Sequence, residues 1–367
     1  MSILMPDYSN TGINAVSSIA SYFHYPIPHP TLPFLDQELQ KGYRSVVLML
    51  FDGMGIDLLA HALPKASFLR AHMPHVLSAS YPSTTANATT CLECGMSPRE
   101  AGWLGWTLYF PQIEKPVDVF TNYSNGEIAA DYHVGNRFIP RQMLFPRITQ
   151  AGYAHACSVS AFGDVKIDSL DGLFASTLDI LRDDRRHYIY TYWGDPDHTM
   201  HEVGCYDPAV FEKVADIDRR VAQFSREMPE DTLLLVTADH GLVDGEFHFL
   251  DEEAPDLMAM LRHQPTIEPR AVSFHVKPEW VKDFPAAFAR HFGGHFLLMT
   301  GAEFIRDYLG DGPTRPCVYD FVGDYMALAT DTWCIQDHRR GSVLKGVHAG
   351  LTEQEMLVPL IVVSRHV

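Results

Sequence analysis

The sequence predicts an α/β protein with a mostly parallel central sheet flanked by helices and a small inserted α+β cap. Short apolar runs rich in β-forming residues alternate with amphipathic helical patterns between Ser45 and Asp244, a spacing typical of parallel sheets. After Asp244, short strand patterns, amphipathic helices and several Pro and Gly residues replace that alternation. We therefore expect a catalytic core in residues 1–244 and 333–367 and a cap subdomain in residues 245–332.

Six apolar runs are the predicted core strands. They are Val46–Phe51, Val76–Tyr81, His155–Ala161, Tyr188–Trp193, Leu233–Ala238 and Val358–Ser364. The predicted helices between them include Phe138–Gln150, Ser169–Leu181 and Pro208–Met228. The predicted cap strands are Ala271–Val276, Phe296–Thr300 and Tyr325–Ala329. Open α/β sheets bind ligands at the carboxyl ends of their strands, so the polar residues beside those ends are the functional candidates.

Composition argues against several classes of protein. The 367 residues carry a net charge of −18, and the longest basic stretches are pairs of arginines, which argues against a nucleic-acid-binding surface. No apolar run approaches the ~18 residues that a membrane helix needs. The N-terminus lacks a cationic start followed by an apolar block, and six cysteines are too few for a disulfide scaffold. A cytoplasmic location is therefore expected.

The first functional segment joins an acid to a row of hydroxyl groups. Asp52 ends the first predicted strand, while Ser83, Thr84 and Thr85 follow the second strand and precede a helical pattern at Ala86–Cys94. Hydroxyl groups in that position face the free N–H groups of a helix N-terminus, which favours a bound anion or a developing negative charge. The simpler interpretation is that a threonine there only caps the helix.

Three further segments contribute carboxylates and imidazoles next to strand ends. Asp197 and His201 lie four residues apart in YTYWGDPDHTMHEVG, Asp239 and His240 follow the apolar strand LLLVT, and His348 lies in VHAGLT just before the last strand. Each could be structural by itself, but four independent segments lead to the same predicted sheet edge. Carboxylate and neutral imidazole are the ligands that catalytic zinc prefers, with manganese the next candidate.

Such residues suit phosphoryl transfer. A threonine hydroxyl is a poor nucleophile at neutral pH, and coordination to a divalent cation lowers its pKa and orients it. A second cation about 4 Å away can neutralise charge on the phosphoryl group and the leaving oxygen. The residues therefore fit two-metal hydrolysis of a phosphoester through a phosphothreonine intermediate.

The segments resemble, in their order along the chain, the alkaline phosphatase superfamily and within it the type I phosphodiesterase/nucleotide pyrophosphatase family. The matching patterns are D-G, P-S-T-T, D-P-D-x-x-x-H, A-D-H-G and H-A-G-L-T. The resemblance implies an alkaline phosphatase-like fold, a small-molecule phosphodiester or nucleotide substrate, and two divalent ions, with zinc expected and manganese the alternative. For one metal it implies the ligands Asp197, His201 and His348. For the other it implies Asp52, Thr85, Asp239 and His240, with Thr85 also the nucleophile and Thr84 the alternative.

One position departs from the family pattern. The family commonly has an asparagine after the nucleophile whose amide binds a phosphoryl oxygen, and Trp106 occupies that place in AGWLGW. Asn87 could replace that amide if its helix turns it towards the site. Trp103 and Trp106 either line a pocket for the leaving group or are ordinary core residues.

Other functions stay open on sequence grounds. A phosphate monoesterase or a phosphomutase of the same superfamily would need a cationic clamp near the nucleophile, and the segment after Thr85 offers only Arg99. A catalytically silent metal-binding protein would not need the hydroxyl of Thr85. The oligomeric state is not predicted.

Overall fold

The structure, a computed structural model, describes residues 1–339, 341 and 343–365. Its central sheet has the strand order β2-β19-β10-β1-β9-β7-β8, with strands numbered along the whole chain. These strands are β1 (Ser45–Phe51), β2 (His75–Ser78), β7 (His155–Ser160), β8 (Val165–Lys166), β9 (His187–Trp193), β10 (Thr232–Thr237) and β19 (Leu357–Ser364).

The central sheet is mostly parallel, as predicted. Strand β1 lies between β9 and β10 and pairs with both in parallel, with Ser45 opposite His187 on one side and Thr232 on the other. All seven residues of β1 are buried, which explains its continuous apolar sequence. Strand β19 runs antiparallel to β10 and to β2. Its N-terminal end therefore lies at the edge where the parallel strands have their carboxyl ends.

A second sheet has the order β15-β16-β14-β13-β3-β4-β5-β6. It contains β3 (Thr107–Phe110), β4 (Lys115–Asp118), β5 (Tyr123–Ser124), β6 (Glu127–Ile128), β13 (Thr266–Glu268), β14 (Ala271–Phe274), β15 (Phe296–Thr300) and β16 (Tyr325–Ala329). The three predicted cap strands correspond to β14, β15 and β16. Residues 107–128, which the predicted boundaries assign to the core, also join this sheet, and the division into core and cap stays a prediction.

Two small ribbons complete the described strands. Strands β11 (Val243–Asp244) and β18 (Gly346–Val347) pair antiparallel, and β12 (Glu246–Phe249) pairs in parallel with β17 (Trp333–Gln336). The first ribbon brings the chain after β10 next to the segment that contains His348.

The α-helices follow the alternation expected from the sequence. They are α1 (Gly12–Tyr22), α2 (Pro33–Leu39), α3 (Ile56–Ala62), α4 (Phe68–Ala71), α5 (Thr85–Cys94), α6 (Pro98–Ala101), α7 (Val134–Phe138), α8 (Leu144–Ala151), α9 (Leu170–Leu181), α10 (Asp197–Val203), α11 (Pro208–Glu227), α12 (Leu250–Glu253), α13 (Pro255–Ala259), α14 (Phe284–Phe292), α15 (Gly301–Tyr308), α16 (Pro316–Val322) and α17 (Glu353–Met356). One 3-10 turn spans Pro278–Trp280. None of the helices in the described part of the chain combines the length and apolarity needed to span a membrane.

Two predicted elements have different limits in the structure. The single helix predicted at Phe138–Gln150 is wrong: α7 and α8 replace it, because Pro140 has no N–H and disfavours helical backbone at the residue before it. The strand predicted at Val76–Tyr81 ends at Ser78, which lies opposite the first residue of β19, Leu357. Beyond Ser78 no residue of β19 remains to pair with it.

A buried ion pair ties the second sheet to the segment that precedes β19. Arg270, between β13 and β14, donates to both carboxylate oxygens of Glu355 in α17, at 2.7 and 2.8 Å, and both side chains are fully buried. Glu355 also accepts from the backbone N–H of Gly350 at 2.7 Å. This network fixes the loop that follows His348.

Candidate active site

The four polar segments predicted from the sequence meet at one edge of the central sheet. Asp52 follows β1, Asp239 and His240 follow β10, and Asp197 begins α10 shortly after β9. The parallel strands end at this edge, and β19 begins there because it runs in the opposite direction, so the loop before it brings His348 to the same place.

Thr85 is the first residue of α5, and Thr84 is its N-cap residue. The Oγ1 atom of Thr85 lies 3.2 Å from Oδ2 of Asp52 and 3.3 Å from Oδ1. The same oxygen lies 3.2 Å from Nε2 of His240. The hydroxyl of Thr84 instead donates to Glu268 at 2.7 Å. Of the two threonines, Thr85 is therefore the one placed against the acids and imidazoles.

A first cluster of ligand-type atoms is formed by Asp52, Asp239 and His240. One carboxylate oxygen from each acid and one ring nitrogen lie within 4.8 Å of one another, and all three residues are buried. The Nδ1 atom of His240 lies 3.2 Å from the carbonyl oxygen of Gly241, which turns Nε2 into the cluster. Asp239 is held by the backbone N–H groups of Gly53 and His240, each donating to Oδ1 at 3.1 Å.

A second cluster shares one residue with the first. Ligand atoms of Asp197, His240 and His348 also lie within 4.8 Å of one another. His201 joins this group through Asp197, with Nε2 at 3.0 Å from Oδ2 of the acid. The Nδ1 atom of His201 lies 2.7 Å from the carbonyl oxygen of Gly346, which orients the ring. The imidazole of His240 thus lies between the two groups of residues.

Both clusters have the properties expected of a divalent metal site. Oδ1 of Asp197 and Oδ2 of Asp239 are buried without a hydrogen-bond partner, and unpaired buried carboxylate oxygens are costly unless a cation compensates them. Burial raises the pKa of Asp52, and the neighbouring charges of Asp239 and Asp197 raise it further. Carboxylates and imidazoles in this number fit zinc or manganese.

Electrostatic effects differ between the acids. Burial raises the pKa of Asp239, as it does that of Asp52. Burial also raises the pKa of Asp197, but the charge and hydrogen bond of His201, together with the charges of His348 and His240, outweigh burial and bring this pKa down to about 2. Burial lowers the pKa of His348, and the neighbouring His240 lowers it further. A neutral His348 keeps its ring nitrogens available as metal ligands.

Two residues of the site were missed by sequence reasoning. Tyr192, near the end of β9, donates its hydroxyl to Oδ2 of Asp52 at 2.5 Å. Glu268, the last residue of β13, accepts through Oε1 from the hydroxyl of Thr84 and from the backbone N–H of Trp106, both at 2.7 Å. Burial raises the pKa of Glu268 to about 7. The alternation of Tyr188, Tyr190 and Tyr192 along β9 could have indicated the tyrosine, but no local pattern marks Glu268.

The predicted substrate-binding residues have different surroundings. The amide of Asn87 is fully buried and donates to the carbonyl oxygen of Pro82 at 2.8 Å. The expectation that Asn87 binds a phosphoryl oxygen is therefore not supported, because its donor is used inside the fold. Trp103 is a core residue whose indole N–H donates to the carbonyl oxygen of Ile139. Trp106 is 41% exposed and packs edge-on against Phe120.

Comparison with known proteins places the chain in a family. A family model described as type I phosphodiesterase/nucleotide pyrophosphatase matches residues 46–350, which include all seven predicted metal ligands. A human relative, the catalytic subunit of GPI ethanolamine phosphate transferase 3, is 21% identical over 254 residues. That match covers 62% of this chain but only 22% of the relative.

Solved structures share the fold. Murine ectonucleotide pyrophosphatase/phosphodiesterase 5 superimposes with a TM-score of 0.66 at 18% identity, covering 86% of this chain and 87% of that one. An inactive variant of the same murine protein in complex with AMP gives 0.68 at 18% identity, covering 87% and 88%. Phosphonoacetate hydrolase from Sinorhizobium meliloti 1021, in complex with phosphonoformate, gives 0.62 at 16% identity, covering 87% and 90%. The chain therefore belongs to the type I phosphodiesterase/nucleotide pyrophosphatase family.

Proposed function

We propose that this enzyme hydrolyses phosphodiester or nucleotide pyrophosphate bonds through a covalent intermediate on Thr85. The observation that carries the proposal is the position of the Thr85 hydroxyl, 3.2 to 3.3 Å from Asp52 and His240 at the N-terminus of a ten-residue helix. A hydroxyl that only capped a helix would not need to contact an acid and an imidazole from two other strands.

The proposed cofactors are two divalent ions, with zinc preferred and manganese the alternative. The proposed ligands are Asp52, Thr85, Asp239 and His240 for one ion and Asp197, His201 and His348 for the other. His240 lies near residues of both groups, which supports two ions placed side by side. When bound, such ions would lower the pKa of the threonine hydroxyl and neutralise charge on the phosphoryl group.

The residues of the chain then have distinct roles in the reaction. The hydroxyl of Thr85 gives up its proton, and its oxygen forms a bond to phosphorus while the bond from phosphorus to the leaving oxygen breaks. The leaving oxygen takes up a proton where it needs one, and the leaving group departs as an alcohol or phosphate. Water then attacks phosphorus and breaks the bond to Thr85, which regains its proton. The free N–H groups at the start of α5 favour the negative charge of the phosphoryl group through both steps. Tyr192 holds the carboxylate of Asp52 against Thr85.

The proposed substrate is a small-molecule phosphodiester or nucleotide. AMP is the ligand of a murine relative with the same fold, which supports a nucleotide as one candidate. The exposed indole of Trp106 is the proposed contact for the leaving group, although it replaces the amide that the family commonly has there. A cytoplasmic location and the lack of a nucleic-acid-binding or membrane-binding surface stay predictions.

The test combines metal analysis with substrate comparison. Bound metal is quantified per chain, and kcat/KM is measured for an aryl phosphodiester, an aryl phosphomonoester and a dinucleoside pyrophosphate, each with and without chelator. The proposal expects two bound ions and a chelator-sensitive preference for the diester or the pyrophosphate. A preference for the monoester would instead indicate a monoesterase or a phosphomutase. Bound metal without turnover would indicate a silent metal-binding protein.

A further inference from the structure

Glu268 reaches from the second sheet to the turn that carries Thr85. Its Oε1 atom accepts two hydrogen bonds of 2.7 Å, from the hydroxyl of Thr84 and from the backbone N–H of Trp106. Thr84 is the N-cap residue of α5 and directly precedes Thr85. The carboxylate is therefore held in a fixed orientation against Thr84, the residue directly before the proposed nucleophile, although 184 positions separate Glu268 from Thr84.

The backbone around Glu268 has an unusual conformation. Ile267 has φ of +76°, a left-handed conformation that β-branched residues rarely adopt. The facing segment approaches so closely that a Cβ atom on Gly105 would lie 2.7 Å from Cγ2 of Ile267 and 2.8 Å from its carbonyl oxygen. Backbone strain of this kind persists where the surrounding structure imposes it, and it is concentrated at functional sites. The strained position directly precedes Glu268, which favours a functional role for this acid.

In the part of the chain that the structure describes, the carboxylate of Glu268 is not paired with a lysine or an arginine. Among the described residues, no Lys or Arg makes a hydrogen bond or ion pair with Glu268, Thr85, Asp52 or Asp239, and both hydrogen bonds that Glu268 accepts there are to Oε1. The side chain is only half-buried, so it is not sealed inside the core. Glu268 thus adds negative charge to the side of the site that carries the nucleophile.

We propose that Glu268 selects substrates by charge and favours monoanionic phosphodiesters over dianionic phosphate monoesters. The proposal rests on the function proposed for Thr85. A diester has one negative charge at phosphorus, whereas a monoester gains a second as its second pKa, near 6, is passed. Enzymes that bind the dianion commonly place an arginine or lysine against it. A carboxylate held against the residue that precedes the nucleophile has the opposite effect, because it repels the additional charge.

The simpler alternative is that Glu268 only holds Thr84 and Trp106 in place. The substitution Glu268→Gln separates the two roles, because glutamine keeps a carbonyl oxygen that can accept both hydrogen bonds but has no charge. A positioning role alone would leave the ratio of kcat/KM for the monoester to kcat/KM for the diester unchanged. Charge selection would raise kcat/KM for the monoester relative to that for the diester.

The experiment compares methyl p-nitrophenyl phosphate with p-nitrophenyl phosphate, which share a leaving group and differ in charge. Values of kcat/KM are measured at about pH 8.5, where the monoester is a dianion. We expect Glu268→Gln to raise the value for the monoester relative to the diester by at least about tenfold. Glu252→Gln, the same change at an exposed acid in α12, controls for net charge and should leave the ratio as in the unmodified enzyme. An unchanged ratio in Glu268→Gln, or an equal loss for both substrates, would overturn the proposal.

A binding measurement separates this proposal from that for Thr85. In a Thr85→Ala background, the affinities for inorganic phosphate and for dimethyl phosphate are measured by calorimetry with and without Glu268→Gln. Charge selection predicts that Glu268→Gln tightens the binding of inorganic phosphate, a dianion, and leaves that of dimethyl phosphate unchanged. An equal change in affinity for both ligands would contradict the proposal. Turnover that survives in Thr85→Ala would instead contradict the proposed function, whatever the binding ratio.

Discussion

The hydroxyl oxygen of Thr85 lies 3.2 Å from Nε2 of His240, although 155 positions separate the two residues in the chain. One residue begins a helix and the other follows the central strand β10. Their contact depends on the parallel order of β10 and β1 and on the turn from β2 into α5. The proposed chemistry depends on these contacts of the Thr85 hydroxyl with the imidazole of His240 and the carboxylate of Asp52.

Substitution of Thr85 by alanine should abolish turnover and retain bound metal. The hydroxyl is the proposed nucleophile, so kcat should fall by at least about 10³-fold, while the carboxylates and imidazoles that hold the ions remain. Thr84→Ser is the matched control, because serine keeps a hydroxyl at the N-cap position and can still donate to Glu268. Steady-state kinetics and metal content are measured together. Unchanged turnover in Thr85→Ala would remove this residue from the nucleophile role.

Substitution of His348 by alanine should empty one of the two metal sites preferentially. Its side chain belongs to the cluster with Asp197 and His240, and only the first of those is a proposed ligand of the same ion. Loss of a direct ligand should lower the affinity for that ion by more than the roughly 10–100-fold that loss of a hydrogen-bond partner of a ligand costs. Metal titration gives the number of bound ions and the affinity of each site. His291→Ala, at a surface imidazole paired with Asp256, is the control. Two ions bound with full affinity would show that His348 is not a ligand.

Substitution of Tyr192 by phenylalanine should reduce metal affinity or activity by about 10–100-fold. The change removes the hydrogen bond that orients Asp52 and leaves the ring in place. Tyr190→Phe on the same strand is a close control, because the hydroxyl of Tyr190 is buried without a hydrogen-bond partner. Equal behaviour of the two variants in metal titration and kinetics would contradict the role given to Tyr192.

Stability should fall as the pH falls from 6.5 towards 4, in part because of His263, which packs against Tyr109 in β3 of the second sheet. Burial lowers the pKa of His263 to about 4 from 6.5, and its ring stacks on Tyr109 at 3.7 Å between centroids. Between these values the unfolded chain binds a proton that the folded chain does not, so acidification favours unfolding by at most about 3 kcal/mol.

The variant His263→Phe tests this source of acid sensitivity. Phenylalanine can keep the stack on Tyr109 and has no proton to bind, so the free energy of unfolding should depend less steeply on pH between 6.5 and 4. Denaturant titration at several pH values measures the slope. An identical slope in the variant and in the unmodified protein would assign the effect to other groups.

The residues beside strand ends could be predicted because each belongs to a short local pattern. Asp52, Asp239 and His240 directly follow apolar strands, and parallel strands end at one edge of a sheet. His348 lies before β19 and reaches that edge because β19 runs antiparallel to β10. The sequence does not indicate this strand direction. The convergence was therefore predictable, whereas the direction of the last strand was not.

The residues that escaped prediction depend on distant pairing. Glu268 meets Thr84 and Trp106 only because β13 pairs with β3, through Ile267 opposite Thr107. Residues 107–128 form strands too short to produce a clear alternating pattern. Asn87 failed as a candidate because its amide finds a nearer acceptor, the carbonyl oxygen of Pro82.

The most direct test of the central claim is the trapping of the covalent intermediate. The enzyme is quenched with acid during turnover of methyl p-nitrophenyl phosphate, digested, and examined by mass spectrometry for a methylphosphoryl group. The account predicts this group on Thr85, and its absence when Thr85→Ala is treated in the same way. A modified residue other than Thr85, or turnover with no modified peptide and no initial burst of nitrophenol, would contradict it.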